Sequence, residues 1–131
     1  MFELTKQFRF EAAHTLIRRV ETDASRRIHG HSYRAEIAIR GRPDPATGMI
    51  LDLGLFEQAL EEVRQSLDHR FLDEINDLGP ATLENLSYWI WTRLGPVTAG
   101  LHRVTVYRDS AGESCSYFGP DTVPTSPGES R

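Results

Sequence analysis

His14, His29 and His31, together with an adjacent Asp68-His69 pair, are the residues of this 131-residue chain whose types and spacing could do chemistry. An imidazole offers a lone pair to a metal and titrates near neutrality, so a cluster of them can hold a cation or move a proton. The single cysteine, Cys115, cannot close an internal disulfide or build a cysteine-rich zinc knuckle, so any metal must be held by histidine and carboxylate. Three histidines with a fourth position open is the arrangement of a catalytic zinc. Gly30, between His29 and His31, leaves the backbone bare where a substrate must approach.

These residues converge only if the elements carrying them bring their ends together. Residues 2–14 alternate, with Phe8, Phe10, Ala12 and His14 on one parity and Arg9 and Glu11 on the other, as a half-buried strand requires. Residues 28–41 repeat the pattern: His29, His31, Tyr33, Ala35, Ile37 and Ile39 share one face, and Ser32, Arg34, Glu36 and Arg40 populate the other. Paired antiparallel, these strands place all three histidines at one end of a sheet with one wet face. GRPDPATG at 41–48 reads as a turn or loop. A helix is expected over Leu53 to Leu67, with Leu55, Ala59, Leu60, Val63 and Leu67 on its inner stripe. A second runs from Thr82 as N-cap to Leu94, with Leu83, Leu86, Ile90 and Leu94 inward and Gly95-Pro96 ending it. Strands at about 101–108 and 115–118, joined by DSAGES, complete a ββααββ order: an α+β layer of two helices on one face of a four-stranded antiparallel sheet. Residues 1–119 form the single domain, and the Pro- and Ser-rich segment 120–131 reads as a disordered tail.

Composition narrows the function classes. A net charge of −4 argues against nucleic-acid binding, which needs a basic footprint. Neither a secretory leader nor an apolar run of about 18 residues is visible, so a cytoplasmic protein off the membrane is expected. The residues alone leave two readings of the histidines open: a metal site, or core and surface histidines that share a parity. A cupin's His-x-His motif, with Glu36 as its acid, fails on the helical middle of the chain. Asp68-His69 is likewise either a proton-transfer pair or a helix-end pair whose imidazole faces the helix dipole.

FEAAH at 10–14, HGHSY at 29–33, PDPATGMILDL at 43–53, LDHRFLDE at 67–74 and PATLENLSYWIW at 80–91 together resemble the 6-pyruvoyl-tetrahydropterin synthase / 6-carboxy-tetrahydropterin synthase family over nearly all of residues 3–118. The resemblance implies the tunnelling fold, assembled as an oligomeric barrel, commonly a hexamer of two trimers. It implies that His14, His29 and His31 bind Zn2+, and that the substrate is a small pterin similar to 7,8-dihydroneopterin triphosphate. Asp68 and His69 match the family's proton-transfer pair. Counting back from Tyr117 puts the family's pterin-anchoring acid at Asp109, one methylene shorter, while Thr82 and Glu84 match secondary pterin contacts. Thr82 also serves as a helix cap, and Asp109 also reads as the start of a turn.

The chain departs from the family where a catalytic cysteine stands a few residues before HGH. Asp23, Ser25 and Arg26 occupy that stretch, and Cys115 lies in the last strand as a small buried hydrophobe. A serine hydroxyl does not inherit a thiolate's role unless a neighbouring base activates it, so Ser25 and Asp23 are candidate assistants. Three functions follow: a zinc lyase giving the 6-carboxy product, another side-chain reaction (6-pyruvoyl synthesis or dihydroneopterin cleavage), or a non-catalytic zinc and pterin binder. Arg18, Arg19, Arg26 and Arg27 flank the segment and suit a triphosphate or plain solvation.

Overall fold

The computed structural model describes residues 1–121, so the expected tail lies, beyond its first two residues, outside the described residues. Strand β1 (Phe2–His14) is followed by a short helix α1 (Thr22–Arg26), strand β2 (His29–Gly41) and helix α2 (Leu53–Leu67). Then come a two-residue strand β3 (Arg70–Phe71), helix α3 (Leu83–Leu94), strand β4 (Leu101–Arg108) and strand β5 (Glu113–Tyr117). One open sheet runs β3-β1-β2-β4-β5. It has five strands rather than the expected four, because β3 adds to the β1 edge in parallel, pairing Ala12 with Arg70 and Ala13 with Phe71. A two-residue strand is too short to show alternation, and α1 is too short to show a stripe.

The alternating rows fix which face is covered. Phe8, Phe10 and Ala12 of β1, Tyr33, Ala35, Ile37 and Ile39 of β2, and Val104 and Val106 of β4 pack with α2 and α3 in one core. Antiparallel pairing of β1 with β2 sets Phe10 opposite Tyr33, their rings stacked at 4.9 Å, and continues to Ala12 opposite His31 and His14 opposite His29. Burying each large apolar side chain contributes roughly 1.5–3 kcal/mol. The inner stripe of α2 is Phe56, Leu60, Val63 and Leu67. Leu55, expected inside, is 61% exposed, because Asp52 caps the helix by accepting from the Leu55 N–H and that start turns Phe56 inward. Thr82 caps α3 as expected, its hydroxyl accepting from the Asn85 N–H at 3.1 Å. β5 begins two residues earlier than expected, and Phe118 lies exposed beyond it. Cys115 faces Val106 across the sheet and is half-buried, not buried.

The other sheet face is a polar lattice. Arg103 pairs with Glu36 at 2.9 Å, Gln7 donates to Glu36, and Arg40 pairs with Glu3. No helix among the described residues is long and apolar enough to cross a membrane. At the turn into β4, Gly100 has φ +76° and its carbonyl accepts from the Arg40 N–H at 2.8 Å. A Cβ there would strike the Arg40 carbonyl oxygen. Gly100→Ala is therefore expected to cost about 1–3 kcal/mol. An unshifted urea midpoint would contradict that.

Candidate metal and proton-transfer site

The strand register delivers the three imidazoles to the helix-covered face at one end of the sheet. Their ring centroids lie 4.5 Å (His14 to His29), 4.8 Å (His14 to His31) and 4.8 Å (His29 to His31) apart. One nitrogen from each falls within 4.8 Å of the others. Backbone carbonyls set the tautomers. His14 Nδ1 lies 2.9 Å from the Ala81 carbonyl oxygen and His29 Nδ1 lies 2.7 Å from that of Arg27. A carbonyl only accepts, so each Nδ1 carries the proton and each Nε2 keeps its lone pair.

Those two Nε2 atoms are 3.0 Å apart, and two lone pairs at that distance repel unless a cation lies between them. His31 also presents Nε2 as an acceptor, receiving Arg108 Nη1 at 3.2 Å. A tetrahedral metal bound at about 2.0–2.1 Å would separate neighbouring ligand nitrogens by roughly 3.3 Å; the His14–His29 pair at 3.0 Å is near that spacing, and His31 completes a set within 4.8 Å. Neutral imidazoles suit zinc, copper, iron or nickel.

Electrostatics keep the His14 and His31 rings neutral. Burial pushes the His14 pKa below its ordinary value, and burial together with the Arg108 guanidinium pushes that of His31 down to about 4. The unfolded chain takes protons below about pH 6.5 that the folded one refuses, so the metal-free protein loses stability as pH falls through that range toward 4. A urea midpoint lower at pH 5.5 than at pH 7.5 is the expected result, and an equal midpoint would contradict it.

Asp68 caps the C-terminal end of α2 and is locked from three sides. Its Oδ1 accepts from the Glu11 N–H at 2.8 Å, while Oδ2 meets Arg64 Nη1 at 3.0 Å and His69 Nδ1 at 2.9 Å. The Glu11 N–H first, then His69, holds the Asp68 carboxyl below the usual range, so it stays charged beside the imidazole. His69 sits at φ +58°, a left-handed conformation rarely taken by a residue with a side chain, and its N–H donates to the Glu11 carbonyl oxygen at 2.6 Å. Its ring is 79% exposed, and with Nδ1–H on Asp68 it turns Nε2 outward.

Two cavities open on the cluster. One, of about 460 Å³, is bounded by Gly30, His31, Glu11 and His69, so His69 and one ring of the histidine cluster share a space. The other, of about 240 Å³, is bounded by His14, Thr82, Glu84, Tyr33, Arg108 and Glu113, among others. The expected residues His14, His29, His31, Asp68, His69, Thr82 and Glu84 thus surround one end of the sheet. Asp23 and Ser25 lie on α1 and border neither cavity. Asp23 is exposed, whereas Ser25 is buried with its backbone bonded to Leu16 and Glu21.

Asp109 also lies away from the second cavity's lining, gripped through both oxygens by Arg34 at 3.0 and 3.1 Å, and Arg34 holds its pKa down. Glu113 supplies a carboxylate to that cavity instead, paired with Arg108 in the β4–β5 register. Sequence reading missed Arg108 and Glu113, although the parity that found the histidines was a usable signal: Val104, Val106 and Arg108 share one row. Arg64 and the Glu11 N–H, which anchor Asp68, had no such signal.

Residues 3–120 match the family described as 6-pyruvoyl tetrahydropterin synthase. A curated 6-carboxy-5,6,7,8-tetrahydropterin synthase from Synechocystis sp. is 32% identical over 130 residues, covering 95% of this chain and 98% of that protein. The human 6-pyruvoyl tetrahydrobiopterin synthase is 36% identical over 85 residues, covering 60% of this chain and 59% of that one. The solved Caenorhabditis elegans 6-pyruvoyl tetrahydropterin synthase superposes with a TM-score of 0.77 at 26% identity, over 91% of this chain and 96% of that one. The Plasmodium vivax enzyme shares the fold, with a TM-score of 0.69 at 17% identity, over 88% of this chain and 96% of that one. With its five motifs, its sheet and its histidine cluster accounted for together, the chain belongs to the 6-pyruvoyl tetrahydropterin synthase family.

Proposed function

We propose that this chain is a zinc-dependent lyase acting on the side chain of 7,8-dihydroneopterin triphosphate and releasing a 6-carboxy-tetrahydropterin. The observation that carries the reading is the gathering of three imidazoles with Nε2 lone pairs into one cluster, of which His31 shares a cavity with His69. The end-to-end similarity to the Synechocystis 6-carboxy synthase favours that product over the 6-pyruvoyl one. Bound zinc would polarise the substrate's side-chain hydroxyls and acidify the adjacent carbon.

The chain's own residues supply the rest. His69 Nε2 takes the carbon-bound proton and returns it at another position, while Asp68 steadies the imidazolium so formed. Arg64 and the Glu11 N–H hold Asp68, so the pair keeps its orientation. Thr82, Glu84 and Glu113 offer acceptors for ring N–H groups, and Glu113 is better placed for this than Asp109. Because no thiol stands before HGH, His69 carries the proton transfer, with Ser25 and Asp23 as the nearest substitutes in sequence. Homo-oligomerisation, as a dimer of trimers, and a cytoplasmic location belong to the same reading.

The test is to incubate zinc-loaded protein separately with dihydroneopterin triphosphate and with dihydroneopterin and to follow products by mass. Acetaldehyde with triphosphate is the expected result. Glycolaldehyde from dihydroneopterin would favour side-chain cleavage of the aldolase kind, and no turnover of either would overturn the lyase reading.

A further inference from the structure

The cavity that opens on His14 carries two buried donors the chain itself leaves unused. Tyr33 is 2% exposed, and its hydroxyl has no hydrogen-bond partner among the described residues. Arg108 Nε is also buried and unpartnered among them. Both residues border the same cavity, because Ala35 pairs with Val106 and the next covered-face position on each strand is Tyr33 and Arg108. A buried donor without an acceptor is costly, and native proteins rarely leave two side by side without use. A phenol is an ordinary O–H donor, so the Tyr33 hydroxyl can give a hydrogen bond to whatever enters the cavity.

We propose that Tyr33 and Arg108 form a corner that binds a carboxylate oxygen of the ligand held beside the histidine cluster. The inference rests on the pterin-lyase reading above and deepens it by naming the group that these residues recognise. Arg108 Nη2 is engaged by Glu113, and Nη1 by His31 Nε2. A metal on His31 takes that lone pair, so a third donor joins the two already unpaired. Charge points the same way. Arg18 and Arg108 on the cavity wall are matched by Glu84 and Glu113, whereas the histidine cluster that would hold a dication includes no carboxylate among the described residues. A neutral ring carbonyl would answer the hydrogen bonds alone. A carboxylate, with several lone pairs and a negative charge, answers both.

The experiment titrates the zinc-loaded full chain with pterin-6-carboxylate and with 6-methylpterin, following pterin fluorescence. The wild type is expected to bind the carboxylate about 10–100-fold tighter, the weight of a hydrogen bond to a charged group. Tyr33→Phe and Arg108→Gln should each shrink the ratio of the two affinities, and Arg108→Lys should restore part of it. Tyr33→Phe removes a hydroxyl that no other group depends on, so the unliganded variant should melt no lower than wild type. If Arg108→Gln fails to fold or to hold zinc, Tyr33→Phe decides alone. Equal wild-type affinity for the two pterins, or variants that keep the full preference, would overturn the corner. Failure of the wild type to bind either pterin would instead overturn the pterin-lyase reading, and the corner with it.

Discussion

Replacing His29 with Ala is expected to remove metal and turnover together. His29 opens β2, and its Nδ1–H is already committed to the Arg27 carbonyl, so the lost Nε2 has no local substitute. Zinc sites of four ligands bind with about 10–16 kcal/mol; an even share assigns roughly 3–4 kcal/mol to each ligand, or about 10²–10³-fold in affinity. Dialysis against a zinc buffer, with metal counted by elemental analysis, should show wild-type protein loaded and the variant empty. The fold should survive, because His29 lies at the strand's end and the core row begins at Tyr33. A variant that holds zinc as well as wild type would place the metal elsewhere.

The second large effect belongs to His69→Gln. A positioned general base contributes typically 10²–10⁴-fold, so kcat should fall by that factor while zinc content and melting temperature stay near wild type. The separation is expected because the His69 ring is largely exposed, lies outside the histidine cluster and has Asp68 as its polar side-chain partner among the described residues. Asp68→Asn is the companion variant. It removes the charge that steadies the imidazolium yet can still accept from the Glu11 N–H through its amide oxygen. A His69→Gln protein at full rate would move the base to α1, where Ser25 and Asp23 stand.

The contrast between the histidines and the acids explains what was legible in the sequence. His14, His29 and His31 could be placed because two long strands of clean alternation carry them, and a period of two leaves little freedom once the partners are paired. The same rule, applied to β4, would have found Arg108. Asp109 was placed by counting along the chain across a turn, where parity is lost. The residues Asp109–Ala111 form a tight helical turn, and Gly112 takes φ +66° before β5 resumes. That turn leaves Asp109 to Arg34 and gives the cavity to Glu113, four residues on.

β3 escaped notice for a different reason. Its two residues are held at the sheet edge by β1 and by the chain leaving α2, a tertiary consequence with no local pattern. Leu55 shows the limit of stripe counting: the Asp52 cap three residues before it set the helix phase and turned Phe56 inward. The backbone carbonyls of Ala81 and Arg27, which decide the tautomers, could not be read from residue types, since every residue has a carbonyl.

Zinc K-edge X-ray absorption on protein loaded with one equivalent tests whether three Nε2 atoms hold one metal ion. A shell of nitrogen and oxygen at about 2.0–2.1 Å with scattering from three imidazole rings is the expected result. A sulfur neighbour at about 2.3 Å, or protein that retains no zinc after dialysis, would contradict it.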